Sequence, residues 1–166
     1  MPARLVSIYV APAAGAPAVR VPEARVLAGR GLEGDRYAAG KGSFSRWPGR
    51  GRAVTLIEAE ALRAAEAEFG VAMRDGEHRR NLVVEGAPLA DLRGVRFRVG
   101  DVVLEGVRLC APCKYLVRVT GQPSAFDALV GRGGLRAEVV GGGTVREGDA
   151  VTWDPADVGR RAYLPG

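Results

Sequence analysis

The strongest constraint in this chain is the brevity of its apolar runs. "LVSIYV" (5–10), "ARVLA" (24–28), "AVTLI" (53–57), "NLVVEG" (81–86), "VRFRVG" (95–100), "VVLEGV" (102–107), "LRAEVV" (135–140) and "AVTW" (150–153) are rich in β-branched residues. Gly, Pro or Asp bounds each of them, and runs of that kind predict strands. "VRFRVGDVVLEGV" alternates on both sides of Gly100-Asp101, which predicts a hairpin. "TVREGDAV" (144–151) repeats the style, with Gly148-Asp149 turning the chain between two more strands.

Helices are few. "TLIEAEALRAAEAEFG" holds Thr55 and Glu58 in capping-box spacing, an apolar face from Ala61, Leu62, Ala65 and Phe69, and a stop at Gly70. "SAFDALVG" (124–131) repeats the spacing with Ser124 and Asp127, and "APLADLRG" (87–94) has room for one turn. Strands outnumber helices and do not alternate with them, which argues against a doubly wound parallel sheet. The expectation is a mainly β chain: a closed or nearly closed antiparallel β-barrel with a few short helices. No repeat or boundary divides it, so residues 1–166 are expected to form one domain, with 154–166 peripheral.

Composition narrows the function classes. Hydrophobic content of 47% and charged content of 26% suit a soluble globular domain. No run approaches the roughly 20 apolar residues of a membrane helix. The N-terminal apolar run has one Arg before it and is interrupted by Pro12, so it is expected as a strand rather than a signal peptide. A cytoplasmic location follows as an expectation. Two cysteines cannot build the disulfide framework of a small secreted domain.

The net charge is +5, and only Lys41 and Lys114 are lysines. A GC-rich genome accounts for that bias. Arginine's planar fork also suits phosphate and carboxylate. No basic run is interleaved with aromatics, so nucleic acid is not an expected partner. Residues 29–52, "GRGLEGDRYAAGKGSFSRWPGRGR", form a long Gly-rich basic loop, and "VVGGGTV" signals a bend.

Both cysteines lie in "VRLCAPCKYL" (107–116). Four readings are open for Cys110 and Cys113. Structural zinc wants four ligands, and with His78 the chain offers three, so no structural zinc is expected. A thiol–disulfide couple is suggested by the likeness of "CAPCK" to the thioredoxin motif, but the strand-rich context differs. A Cys–His dyad would need His78, which between Glu77 and two arginines is expected as a solvated loop residue.

The fourth reading is one thiolate beside an arginine-rich pocket. "EHRRNLVVEG" supplies Arg79, Arg80 and Asn81 before a strand, and "GLEGDRY" supplies Gly34, Asp35 and Arg36 on a glycine turn. Singly, these residues are as well explained by surface ion pairs of Arg79 and Arg80 with Glu77 or Asp75, and by Asn81 capping a turn. Together they would make an anion pocket beside a sulfur ligand. A non-enzymatic module for a small anionic ligand is a further reading of the same residues.

That combination resembles the MOSC domain, the C-terminal domain of molybdenum cofactor sulfurases, which also occurs as small stand-alone bacterial proteins. "GLEGDRY", "RAVTLIEAEAL", "RRNLVVEG", "LCAPCKYL" and "GLRAEVVGGGTVREGDAV" are similar to the family's segments, in the family's order, over about residues 25–153. Many members have histidine where this chain has Tyr37. The resemblance implies a β-barrel core and a cysteine used in molybdenum or sulfur chemistry, mapping to Cys113 after Pro112. It implies molybdenum cofactor (molybdopterin) as the ligand, with Cys113 on the metal. Arg36, Arg79 and Arg80 would hold the pterin phosphate, with Gly34, Asp35 and Asn81 fixing the pocket. It implies a sulfur-donor or electron-transfer protein as partner. The family's association with pyridoxal phosphate belongs to the desulfurase domain of the larger enzymes. Loop 38–52, with Trp47, is expected either to cover the site or to be plain surface.

Overall fold

A computed structural model describes residues 2–42 and 51–161 of the chain. Eleven strands are described: β1 (Arg4–Val10), β2 (Val19–Val21), β3 (Glu23–Leu27), β4 (Gly31–Leu32), β5 (Val54–Glu58), β6 (Leu82–Glu85), β7 (Arg96–Val99), β8 (Val102–Leu109), β9 (Leu135–Gly141), β10 (Gly143–Arg146) and β11 (Val151–Trp153). The helices are α1 (Ala59–Phe69), α2 (Lys114–Thr120), α3 (Ala125–Ala128) and α4 (Pro155–Arg161), with a 3-10 turn at Leu89–Leu92. No described helix is long and apolar enough to cross a membrane.

Eight strands form one sheet in the order β11-β7-β8-β9-β5-β6-β1-β2, and β10-β3-β4 form a second. The predicted hairpin is β7–β8, with Val99 opposite Val102. Gly148-Asp149 does turn the chain between two strands, but β10 pairs with β3 and β11 with β7.

The antiparallel expectation fails at the centre. β5 and β6 are parallel, with Leu56 opposite Leu82 and Glu58 opposite Val84. Helix α1 is the crossover between them, so β5–α1–β6 is a βαβ unit that the strand count had argued against. Nor do the ladders close into a barrel. The start of β1 meets the residues before β11 through one isolated bridge, Arg4 with Ala150. Leu5 N–H donates to Asp149 O at 2.8 Å and Gly148 N–H to Leu5 O at 2.7 Å. Val151 N–H, at the start of β11, also donates to Ala3 O at 3.0 Å, but no ladder forms there. The result is a large mixed sheet with a few short helices.

Burial explains why β5 reads as a continuous apolar run. Val54 and Leu56 enter the main core with Leu5, Ile8, Leu82 and Phe97. Ile57 faces the opposite way, into a second core with Tyr9, Ala61, Ala65, Val83, Leu116 and Leu129. A strand covered on both faces has no polar side to show. On β1, Leu5 and Ile8 share one core although three apart, because a bulge lies between Leu5 and Ser7.

The proposed capping box at Thr55 and Glu58 does not form. Thr55 is in β5, and α1 starts only at Ala59. Glu58 is the N-cap in extended conformation, but its carboxylate is turned to Leu89 N–H instead of its own helix. The C-terminus is as expected: Gly70 is left-handed (φ 68°), its N–H donates to Glu66 O, and Val71 N–H donates to Ala65 O. Phe69, assigned to the apolar face, is exposed, and Ala61 and Ala65 carry the contact. The helix at 124–131 is a single turn without a side-chain cap. Helix α2 had no sequence signal: it anchors through buried Leu116, with partly buried Val117 packed against the same core.

Candidate functional site

The chain enters β6 through His78-Arg79-Arg80-Asn81, and Asn81 anchors that approach. Its Oδ1 accepts from Thr55 N–H at 3.1 Å and from the Thr55 hydroxyl at 3.2 Å. Its Nδ2 donates to Tyr9 O at 3.2 Å, and its backbone N–H donates to Thr55 O at 3.0 Å. One buried amide thus ties β1, β5 and the start of β6. Asn81 is a frame residue with both ends of its side chain committed.

His78 is 1% exposed, so the expectation of a solvated loop residue is overturned. Its ring meets Tyr9 edge-on, at 5.2 Å between centroids. Its pKa is pushed down to about 3, first by burial and then by the charges of Arg80 and Arg79. At neutral pH the ring is therefore uncharged. Nδ1 accepts from Arg80 N–H at 2.9 Å, which puts the proton on Nε2, and Nε2 has no acceptor among the described residues.

Arg79 takes the left-handed region (φ 65°), the one such non-glycine residue described. That conformation costs on the order of 1–2 kcal/mol for a residue with a Cβ. It turns Arg79 and Arg80 inward, where both are buried. The expected surface ion pairs do not exist: Glu77 accepts from Asp75 N–H instead. Arg80 donates from Nε to Gly133 O at 2.9 Å and from Nη1 to His78 O at 3.0 Å. Arg79 donates to Ala16 O, and its Nε has no acceptor among the described residues. Burial pulls the pKa of both guanidinium groups down, the direction of a cation whose lost hydration is incompletely replaced.

Asp35 and Arg36 form a second cluster. Asp35 Oδ1 accepts from Ala11 N–H at 2.9 Å and Arg36 Nη1 at 3.1 Å, while Oδ2 accepts from Tyr37 N–H at 3.2 Å. Arg36 stacks 4.8 Å from the Tyr37 ring centre. Gly34 is exposed with φ 89°, so it serves the turn.

The cysteines differ sharply: Cys110 is buried and Cys113 exposed. Cys110 N–H donates to Gly134 O at 2.8 Å. A Cβ on Gly133 would lie 2.0 Å from Cys110 O, so only glycine fits there. Gly133 O is also the acceptor for Arg80, which links the cysteine turn to the arginine. Cys113, in extended conformation, is the N-cap of α2.

These elements converge electrostatically. Arg80 feels Cys110, Arg136, Cys113 and Arg36, and Arg79 feels Arg36, Tyr115, Asp35 and Tyr37. Of the residues singled out in the sequence, Arg36 lies within electrostatic reach of both Arg79 and Arg80, and Arg80 is linked through Gly133 to the turn at Cys110. Asp35 and Asn81 hold the frame, and Gly34 shapes a turn. Sequence reasoning missed His78 as a buried group, and it missed Tyr115 and Arg136. Arg136 carried one usable signal, its alternation with Leu135 and Ala137 along a strand. Trp47, offered as part of a cover, lies outside the described residues.

The family model described as the MOSC domain matches residues 35–152. No curated protein sequence matches the chain. Among solved structures, the YuaD protein of Bacillus subtilis superposes with a TM-score of 0.74 at 21% identity, covering 91% of this chain and 94% of its own. YiiM of Geobacillus stearothermophilus gives 0.70 at 17%, over 92% of this chain and 75% of its own. YiiM of Escherichia coli gives 0.66 at 17%, over 98% and 79%. At such identities these neighbours establish a shared fold. The family match covers most of the chain, including Asp35, Arg36, the His78–Asn81 approach and both cysteines, and the chain therefore belongs to the MOSC domain family.

Proposed function

We propose that this chain binds molybdenum cofactor, or carries sulfur for it, with Cys113 as the working thiolate. The observation that carries this reading is a pair of buried guanidinium groups, Arg79 and Arg80, without a carboxylate partner among the described residues, with Arg80 tied through Gly133 O to the turn at Cys110, three residues before the exposed thiol of Cys113. Arginine forks suit phosphate, and a soft thiolate suits molybdenum. No group of three His, Cys, Asp or Glu residues able to hold a metal occurs among the described residues. A metal at Cys113 must then bring its other ligands with it, as a metal chelated by an organic cofactor does.

Arg79 and Arg80 hold the pterin phosphate in this reading, with Arg36 beside them. Asp35 and Asn81 keep the walls in place. Neutral His78 receives the Arg80 backbone N–H and adds no charge to the pocket. When bound, the cofactor supplies a redox-active metal. In the sulfur-carrying form, the Cys113 thiolate attacks the outer sulfur of a donor's persulfide, and the donor leaves as a thiolate. The exposure of Cys113 favours access by such a partner, whereas buried Cys110 is placed as a small apolar neighbour.

Protein made in cells with an intact cofactor pathway tests the proposal. Molybdenum and pterin should copurify with wild type and with Cys110→Ser, and be lost from Cys113→Ser. If none of the three holds either component, the binding form fails. Mass spectrometry for a persulfide on Cys113 then decides the sulfur form. Equal damage from Cys110→Ser and Cys113→Ser, with reversible oxidation of the pair, would favour a thiol–disulfide protein instead.

A further inference from the structure

A cleft of about 640 Å³ opens beside the Cys110–Pro112 turn. Leu109, Phe126 and Val130 line it, and all three are large apolar side chains left exposed to solvent. Isolated apolar residues on a surface need no explanation, but three converging on one concavity mark a binding face.

Two charged residues lie in its wall, Glu58 and Arg132. Arg132 is committed elsewhere. Its Nε donates to Ala128 O at 2.7 Å, its Nη2 to Glu68 at 2.9 Å, and its guanidinium lies over the Phe69 ring. Glu58 is half committed. Its Oε1 accepts from Leu89 N–H at 2.9 Å, while its other carboxylate oxygen has no partner among the described residues. Burial, followed by the nearby charges of Glu60 and Asp91, pushes its pKa up against the restraining Leu89 N–H. Two further carboxylates, Glu60 and Asp91, therefore act on Glu58. A cation arriving there would relieve the repulsion among the carboxylates.

We propose that this cleft binds a small organic monocation, an amine-type ligand whose charge meets Glu58 and whose apolar body lies against Leu109, Phe126 and Val130. The Cys110–Pro112 turn is then shared: the arginine side takes an anion, and the cleft side takes an organic cation next to the thiol segment. This goes beyond the molybdenum reading and does not depend on it.

Benzylamine, benzyl alcohol and benzoate give one apolar body with positive, zero and negative charge at pH 7. In amide NMR titrations of the whole chain, benzylamine should shift Leu109, Phe126 and Val130 and bind about tenfold tighter than the alcohol. Glu58→Gln keeps an acceptor for Leu89 N–H and should reduce benzylamine to the level of the alcohol. Val130→Lys, at an exposed position, should weaken benzylamine several-fold without disturbing the fold. The proposal is overturned if benzoate or benzyl alcohol binds the cleft as tightly as benzylamine. It is overturned too if Glu58→Gln leaves benzylamine unchanged, or if those three amides do not respond. None of these readouts needs bound cofactor, so their failure is distinct from failure of the Cys113 reading.

Discussion

Arginine plays two different parts in this molecule. At the surface, Arg4 and Arg63 each lie 3.1 Å from Glu85, and Arg146 lies 3.1 Å from Glu23. At the approach to β6, Arg79 and Arg80 are buried and, among the described residues, donate only to backbone carbonyls. Water screens the first set, so its pairs are interchangeable and contribute little. The second set has lost its hydration and has only dipoles in return, a condition that an incoming anion improves. The same residue type is thus a solvated surface charge in one place and a buried cation without a carboxylate partner among the described residues in the other. Burial without a carboxylate is what separates them.

The largest test of that division is pH. The His78 pKa falls from 6.5 to about 3 on folding, so below pH 6.5 the unfolded chain takes up a proton that the folded chain refuses. Stability from this group is complete above pH 6.5 and falls by about 1.4 kcal/mol per pH unit below it, until the folded ring itself titrates. Urea unfolding at pH 7, 5.5 and 4.5 measures the slope, and His78→Gln should remove this group's share. Parallel losses in wild type and variant would mean that the neighbourhood of the arginines is not dry.

Next in size is Asn81→Ala, which strips the side-chain bonds to Thr55 and Tyr9. It should cost about 2–3 kcal/mol, seen in the urea midpoint. A smaller change is expected from Arg80→Gln: inorganic pyrophosphate should raise the melting temperature of wild type, and the variant should bind it about tenfold more weakly. Least of all, Arg63→Ala should leave the urea midpoint where it is. If that surface change matched Asn81→Ala, the contrast between the two arginine sets would collapse.

The strands were legible because short β-branched runs bounded by Gly, Pro and Asp have few other ways to bury themselves. The parallel β5–β6 pair was not, because a run buried on both faces carries no mark of which neighbour it joins. Thr55 shows the limit of local rules. Its spacing to Glu58 fits a capping box, yet Asn81, 26 residues away, claims its hydroxyl. Arg36, Arg79 and Arg80 were legible as candidates from residue type and Gly-rich setting. Nothing nearby in sequence told that Arg79 would turn left-handed and carry its neighbour inside.

Short-range chemistry set by the chain alone includes the strand-rich character, the helix stop at Gly70, the turns at Gly100-Asp101 and Gly148-Asp149, and the inequivalent setting of two cysteines around Pro112. Tertiary structure decided the mixed sheet order, the depth of His78, the burial of Arg79 and Arg80 without a carboxylate partner among the described residues, and the meeting of Glu58 with the cleft at Cys110. The reason is range. Propensity and turn chemistry act over a few residues, whereas hydration is removed, and charge made costly, only when distant segments pack together.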